Sequence, residues 1–280
     1  MSSSERIFEI KTLKSIILKN CFEIIKPYIK ETNLIINKDG IKISTTDESK
    51  VSLTFIKLDA SKFESFYCER SIIIGIDTVV LFKSIKSVSR RDTITFYMNK
   101  NEEDKLGIEL ADLFMGKVKN YKLPLLVLDS AIKTIPEIQY DYVINIPSIQ
   151  FQQIIKDIHL LDGKNVDIKS IGKQLIFSSS DGVADYTTLI TEIDENTNKH
   201  QRELLQQNGE DVRTAKFTSE YSNKIVQGRY NLSYLMYFIK ASHLCDNLNI
   251  LLSNDKPLIL EYSVADLGIM RFLLMGSIIE

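Results

Sequence analysis

Apolar positions along the first 110 residues change their period twice. Ile17, Leu18, Cys21, Phe22 and Ile25 recur at helical spacing, and Pro27 ends the run. The period then falls to two. Leu34-Ile35-Ile36 and Ile41-Lys42-Ile43 flank Asp39-Gly40 and predict a hairpin over Asn33 to Ile43. Val51, Leu53 and Phe55 alternate with polar neighbours, and a further strand is expected near Ile72 to Ile76. A second helix is expected from Thr78 to Ser89. Strands carrying Ile94, Phe96 and Met98, then Leu106, Ile108 and Leu110, follow it.

The second half repeats this order. A helix over Ser148 to Leu161 precedes strands at Val166-Asp167-Ile168 and Gln174 to Phe177, with Asp181-Gly182 as a turn. A helix over Leu232 to Leu244 precedes strands at Leu248 to Leu252, Leu258 to Leu260 and Ile269 to Leu274. Such a duplication bears on the fold before any single motif does. It predicts an α+β protein of two similar domains, each with mostly antiparallel sheet covered on one face by a helix pair. The expected bounds are 1–120 and 140–280, joined by a connector at 121–139. That connector lacks a clear period and contains Pro124 and Pro136, yet includes the apolar run Leu125-Leu126-Val127-Leu128. The polar stretch near 191–228 is expected to be a long loop within the second domain.

Composition narrows the class. The chain has 280 residues, 44% hydrophobic and 26% charged, which is the balance of a folded globular chain. No apolar run approaches the roughly 18 residues of a membrane span. Three scattered cysteines and the absence of a basic-then-apolar opening lead to the expectation of an intracellular protein without a metal site. The net charge is only −2, but it is not evenly spread. Four helical windows (Lys14 to Lys26, Thr78 to Arg91, Gln150 to Leu161, Arg229 to Leu244) hold ten basic residues against two acids, Glu23 and Asp157. The remainder therefore carries 25 of the 35 basic and 35 of the 37 acidic residues. Lys83, Lys86 and Arg90 fall on one helical face, opposite Phe82, Ile85 and Val88. A cationic face without base-stacking aromatics suits sequence-independent contact with duplex phosphates. A solvated helix surface is the plainer reading of any one such face.

Motifs for chemistry are absent. There is no phosphate loop, no dinucleotide-binding glycine fingerprint and no His-Glu-x-x-His pattern, so no cofactor is expected. His159 and His243 sit in helical stretches and His200 in the polar loop, positions that read as packing or surface. The carboxylates Asp47, Glu48, Asp181 and Asp185 sit at turns, where Asp serves the backbone.

Several segments then resemble one known family. Thr46-Asp47-Glu48-Ser49-Lys50-Val51-Ser52-Leu53, Phe66-Tyr67-Cys68-Glu69-Arg70, and the connector with Leu128-Asp129 and Ile135-Pro136-Glu137 are similar to stretches of proliferating cell nuclear antigen. So are Pro257-Leu258-Ile259-Leu260-Glu261-Tyr262 and Val264-Ala265-Asp266-Leu267-Gly268, in the same order and spacing. The resemblance implies a ring of three subunits with helices lining a hole and sheets forming the outer wall. Its function would be that of a DNA sliding clamp, a non-enzymatic processivity factor at sites of DNA replication. The implied partners are double-stranded DNA, DNA polymerase and other clamp-binding-motif proteins, and an ATP-dependent clamp loader.

By resemblance the DNA-facing positions are Lys19, Lys26, Lys83, Lys86, Lys156 and Lys240, with Arg90 added by proximity. Asn20, Gln153 and Ser233 stand where the family has further basic residues. The implied partner pocket comprises Thr46, Lys50, Val51, Leu53, Ile135, Pro136, Pro257, Leu273 and Met275, although alternation alone reads Val51, Leu53 and Leu273 as core. Thr46, Lys50 and Leu273 replace the family's usual Met, His and Tyr. The implied subunit edges lie at Lys117, Val118, Lys119 and Tyr121, and at Tyr186, Thr188 and Ile190. A subunit of a hetero-ring and a monomeric factor that grips DNA by charge alone remain as alternatives.

Overall fold

The protein is described from a computed structural model that covers residues 5–112, 114–128, 139–192, 215–218 and 224–277. Its first strand, β1 (Arg6–Thr12), precedes the first helix and was not expected from the sequence. After a register irregularity between Arg6 and Phe8, buried Phe8, Ile10 and Thr12 alternate with Glu9 and Lys11. Then follow α1 (Ser15–Ile25), β2 (Glu31–Asn37), β3 (Gly40–Thr46), β4 (Ser52–Asp59), β5 (Ser65–Cys68) and β6 (Ile72–Asp77). The first repeat ends with α2 (Thr78–Ile85), β7 (Asp92–Asn99), β8 (Lys105–Asp112) and β9 (Lys117–Pro124).

The second repeat has the same order among the described residues. It runs β10 (Tyr142–Pro147), α3 (Ser148–Leu160), β11 (Asn165–Ile171), β12 (Gln174–Ser179), β13 (Tyr186–Thr191), β14 (Lys216–Thr218) and β15 (Val226–Asn231). It closes with α4 (Leu232–Phe238), β16 (Asn247–Leu252), β17 (Leu258–Val264) and β18 (Gly268–Leu274). By its internal packing the chain divides into Met1–Ile135 with Ser263–Arg271, and Pro136–Tyr262 with Phe272–Glu280.

Within the first unit, β5-β1-β7-β8-β9 form one antiparallel sheet, and β4-β3-β2-β6 lie side by side in another. Within the second, the corresponding neighbours are β14-β10-β16-β17 and β13-β12-β11-β15. In each unit the two helices pack on one another, α1 on α2 and α3 on the helical segment that continues α4. The core is apolar from both sides. α1 buries Leu18, Phe22, Ile24 and Ile25, α2 buries Leu81, Phe82 and Ile85, and β7 and β8 bury Ile94, Phe96, Met98, Leu106 and Ile108. In the second unit Phe151 of α3 meets Phe177 of β12 at 6.0 Å, and Phe238 of α4 stacks on Phe272 at 4.5 Å.

β6 feeds α2 and β15 feeds α4 without an intervening loop, and in each the polar residue that ends the strand caps the helix. Asp77 accepts hydrogen bonds from the Val79 and Val80 amides at 2.8 and 2.9 Å, and Asn231 accepts one from Ser233 N at 2.9 Å. The hairpin is present as expected. Asn37 Oδ1 accepts the Asp39 and Gly40 amides, and Gly40 adopts φ +142°.

Several expectations need correction. The connector does not start at Tyr121, because Tyr121–Pro124 complete β9 in register with β8. Beyond it, Leu126 forms a bridge to Gly75 of β6, so part of the apolar run is a pairing segment. A Cβ at Gly75 would stand 2.2 Å from the Leu126 carbonyl oxygen, so only glycine permits that approach. The stretch 191–228 is not one loop. It contains β14 and the start of β15, and β14 is only three residues long, held by pairing with β10 rather than by any pattern of its own. The helix expected to end at Leu244 ends at Phe238 and continues as a 3₁₀ segment, Ile239–His243. The helix expected to end at Ser89 stops at Ile85.

Gly40 offers a direct test. A methyl group there would lie 1.9 Å from the Leu58 carbonyl oxygen, in a backbone conformation that L residues avoid. Gly40→Ala is expected to destabilise the protein by more than about 1 kcal/mol, read as a lower urea midpoint. An unchanged midpoint would refute this account of the turn.

Candidate functional site

Helix faces not used for packing carry the predicted cations. On α1, Lys19 and Lys26 are half-buried, and Glu23 lies exposed between them. Lys26 Nζ sits 3.2 Å from the centre of the Phe82 ring, a cation–π contact between the two helices. Lys83, Lys86 and Arg90 are exposed on α2 and just beyond it. In the second unit Lys156 is exposed on α3, and Lys240 is exposed in the 3₁₀ segment, 5.4 Å from the Tyr237 ring centre. Gln153 donates to Asp157 Oδ1 at 2.6 Å and so engages the only carboxylate of α3.

Several basic residues on strands and turns are matched to carboxylates: Lys57–Asp59, Lys100–Glu69, Lys173–Glu192, Lys224–Asp141, Arg70–Glu103 and the bidentate Arg229–Asp167. Lys105 and Lys122 share Glu102, whose pKa the Lys122 hydrogen bond holds below the usual carboxylate range. The Lys224 hydrogen bond lowers Asp141 likewise. Among the described residues, Lys19, Lys83, Lys86, Arg90 and Lys156 make no ion pair. Their charge is therefore available to an outside anion.

The predicted partner residues fall in both units, and each set is described where it stands. In the first, Thr46 closes β3 opposite Leu53 of β4. The turn between them is built on Asp47, whose buried carboxylate accepts the Ser52 amide at 2.7 Å, the Ser49 amide at 3.1 Å and both serine hydroxyls. That turn puts Lys50 at φ +60° and exposed. The reading of Val51 and Leu53 as core residues is wrong, since both are half-exposed. The buried row of β4 is Ser52, Thr54, Ile56 and Leu58. Small polar residues can occupy that row because each is hydrogen-bonded, Ser52 to Asp47 and Thr54 to Tyr28. In the second unit Pro257 is half-buried and its carbonyl accepts the Tyr140 hydroxyl at 3.0 Å. Leu273 is half-buried rather than core, and Met275 is 53% exposed. Ile135 and Pro136 lie outside the described residues.

The predicted edge residues lie on β9 and β13, which end their sheets. Lys117 and Val118 are exposed, Lys119 is half-buried and donates to Ser87 Oγ at 2.9 Å, and Tyr121 is half-buried. Tyr186, Thr188 and Ile190 share the inward-facing row of β13, and Ile190 is buried in its own unit. Only their backbone is offered at the edge. The outward row is Thr187, Leu189 and Thr191, with Leu189 55% exposed. Phe114 and Met115, in the β8–β9 turn, are more than three-quarters exposed and were overlooked by periodicity because the turn is short. Lys164 was overlooked too. It follows a turn rather than lying in a helical window, yet it lines a groove with Ser233 and Lys240.

Two repeats of identical element order, each with antiparallel sheets and one helix pair, define the α+β clamp fold. Residues 7–133 match the family model for the proliferating cell nuclear antigen N-terminal domain, and residues 134–277 that for the C-terminal domain. The chain belongs to the proliferating cell nuclear antigen family. A protein of Paramecium bursaria Chlorella virus 1 described as "Probable DNA polymerase sliding clamp 1" is 27% identical over 274 residues, which span 98% of each chain.

The Asp47 turn is testable by itself. Asp47→Ala strands buried donors and is expected to cost about 1–3 kcal/mol. Thermal unfolding would read this as a lower midpoint, and an unchanged midpoint would show the turn to be self-sufficient.

Proposed function

We propose that this chain is a DNA sliding clamp that closes into a homotrimeric ring around duplex DNA and tethers DNA polymerase to its template. The observation that carries the reading is the set of helix-face cations, Lys19, Lys83, Lys86, Arg90 and Lys156, that make no ion pair among the described residues. Phosphate contacts of this kind carry no sequence information, so the protein can move along the duplex. Holding on is then a matter of topology and not of affinity. The protein acts without catalysis, by raising the local concentration of the enzymes it carries.

Ring closure is supported by the repeat. Gly268 of β18 approaches the backbone of Lys57 on β4 so closely that a Cβ would meet the Lys57 carbonyl oxygen at 1.9 Å. In the repeat β9 corresponds to β18, and β13 to β4. β9 and β13 end their sheets, and so are the strands available for the equivalent pairing between copies. Partners would dock through short motifs, for which the resemblance implies Thr46, Lys50, Val51, Leu53 and Ile135 in the first unit and Pro136, Pro257, Leu273 and Met275 in the second. An ATP-dependent loader would open the ring onto DNA at replication sites. Among the described residues no helix is long and apolar enough to cross a membrane.

Reversing charge at Lys83 and Lys86 is expected to shorten the products of clamp-dependent primer extension while leaving the circular dichroism spectrum unchanged. Equal product lengths would remove the DNA-facing assignment. Light scattering across a dilution series should give about three times the 32.1 kDa chain mass. A mass of one chain would sink the homotrimer.

A further inference from the structure

β15 ends its four-stranded sheet, paired with β11 on one side only. Backbone groups on its outer edge are nevertheless engaged. Asn254, in the β16–β17 turn, donates from its side-chain nitrogen to the Ile225 carbonyl at 3.1 Å, and its Oδ1 accepts the Gln227 amide at 3.0 Å. Two residues further along, the Ser277 amide donates to the Arg229 carbonyl at 2.8 Å, and the two residues form an antiparallel bridge. Residues 225, 227 and 229 thus turn the same edge outward. A side-chain amide and one residue of the segment after β18 stand where a neighbouring strand would lie. That segment is lightly held. Met275, Gly276 and Ser277 are all exposed, and among the described residues the bridge to Arg229 is the hydrogen bond that fixes Ser277. The Arg229 side chain is committed to Asp167 of β11, so the edge offers backbone rather than charge.

We propose that the outer edge of β15 takes an extended segment of a partner protein as an added strand, and that Ser277 straps the edge until this segment displaces it. The inference rests on the sliding-clamp reading, in which Leu273 and Met275 belong to the partner surface. Both precede Ser277 on one continuous stretch, so a peptide lying against them reaches the β15 edge next. The strap itself shows what fits there: an extended, antiparallel backbone whose amide meets the Arg229 carbonyl. Main-chain hydrogen bonds give such docking its affinity, and the exposed Ile225 side chain offers an apolar contact beside the edge. A strap of one hydrogen bond is easily displaced, since it is worth only about two- to tenfold in binding. Together with Asn254 it still keeps the free chain from presenting an open edge to unwanted strands.

The test uses the full chain and a fluorescein-labelled synthetic peptide carrying a clamp-binding motif, with hydrogen exchange read by mass spectrometry and affinity by fluorescence anisotropy. Bound peptide is expected to slow exchange over residues 225–231 and to speed it in the segment that contains Ser277. Ser277→Pro removes the strapping amide and is expected to bind the peptide about two- to tenfold more tightly. Ser277→Ala keeps that amide and should bind as the parent does. A peptide that binds while exchange over 225–231 is unchanged overturns this inference and leaves the clamp reading intact. Weaker or equal binding by Ser277→Pro also overturns it, since Ser277 would then be part of the partner surface or idle. Association of Ser277→Pro into larger assemblies without peptide would show that the edge takes a second copy instead. If the peptide binds neither the parent nor Ser277→Pro, the partner-docking part of the clamp reading fails, and this inference with it.

Discussion

Each helix in this protein has to bury one apolar stripe, and the rest of the arrangement follows from that requirement. Leu18, Phe22 and Ile25 on α1, and Leu81, Phe82 and Ile85 on α2, are each worth roughly 2 kcal/mol when taken out of water. Against that, like-charge crowding between Lys83 and Lys86, one turn apart, costs only a few tenths of a kcal/mol. Burial therefore sets the rotation of the helix, and the lysines are carried to the opposite face whether or not an anion waits there. Phe82 serves both sides, packing inward while its ring accepts the ammonium of Lys26. Apolar packing and cationic display are thus two consequences of one helical period.

The sheets solve a different problem. Every strand interior needs partners for its backbone groups, and the repeat supplies them in the same order twice. Where two backbones come unusually near, glycine stands at the contact, as at Gly75 beside Leu126. Ion pairs such as Lys224–Asp141 and Arg229–Asp167 then cover the polar rows. Exposed pairs of this sort contribute little stability, about 0–1 kcal/mol each. Their larger effect is electrostatic, because each neutralises a charge on the sheet, whereas Lys83, Lys86 and Lys156 on the helix side make no ion pair among the described residues.

Much of this was legible in the sequence. The duplicated order, both helix pairs, the Asp39-Gly40 hairpin and the basic helix faces followed from periods of 3.6 and two, which are properties of neighbouring residues along the chain. β1 offers only the short alternation Phe8 to Thr12, and β14 went unread because three residues hold no pattern. The apolar row Val51, Leu53 and Phe55 showed that β4 is a strand but not which face is inside. Thr54 and Ser52 are buried instead, hydrogen-bonded with Tyr28 and to the Asp47 carboxylate, and those partners are distant in sequence or set by a turn.

The sequence by itself determined the kind of each long element and the sign of charge it bears, because both depend on local periodicity. Tertiary structure alone decided which cations stay unpaired, which face of β4 is buried, and that Lys164 and Ser233 share a groove. Those outcomes depend on contacts between residues far apart in the chain, such as Arg229 with Asp167. No local pattern encodes such a meeting; the packing of the sheets and helices produces it.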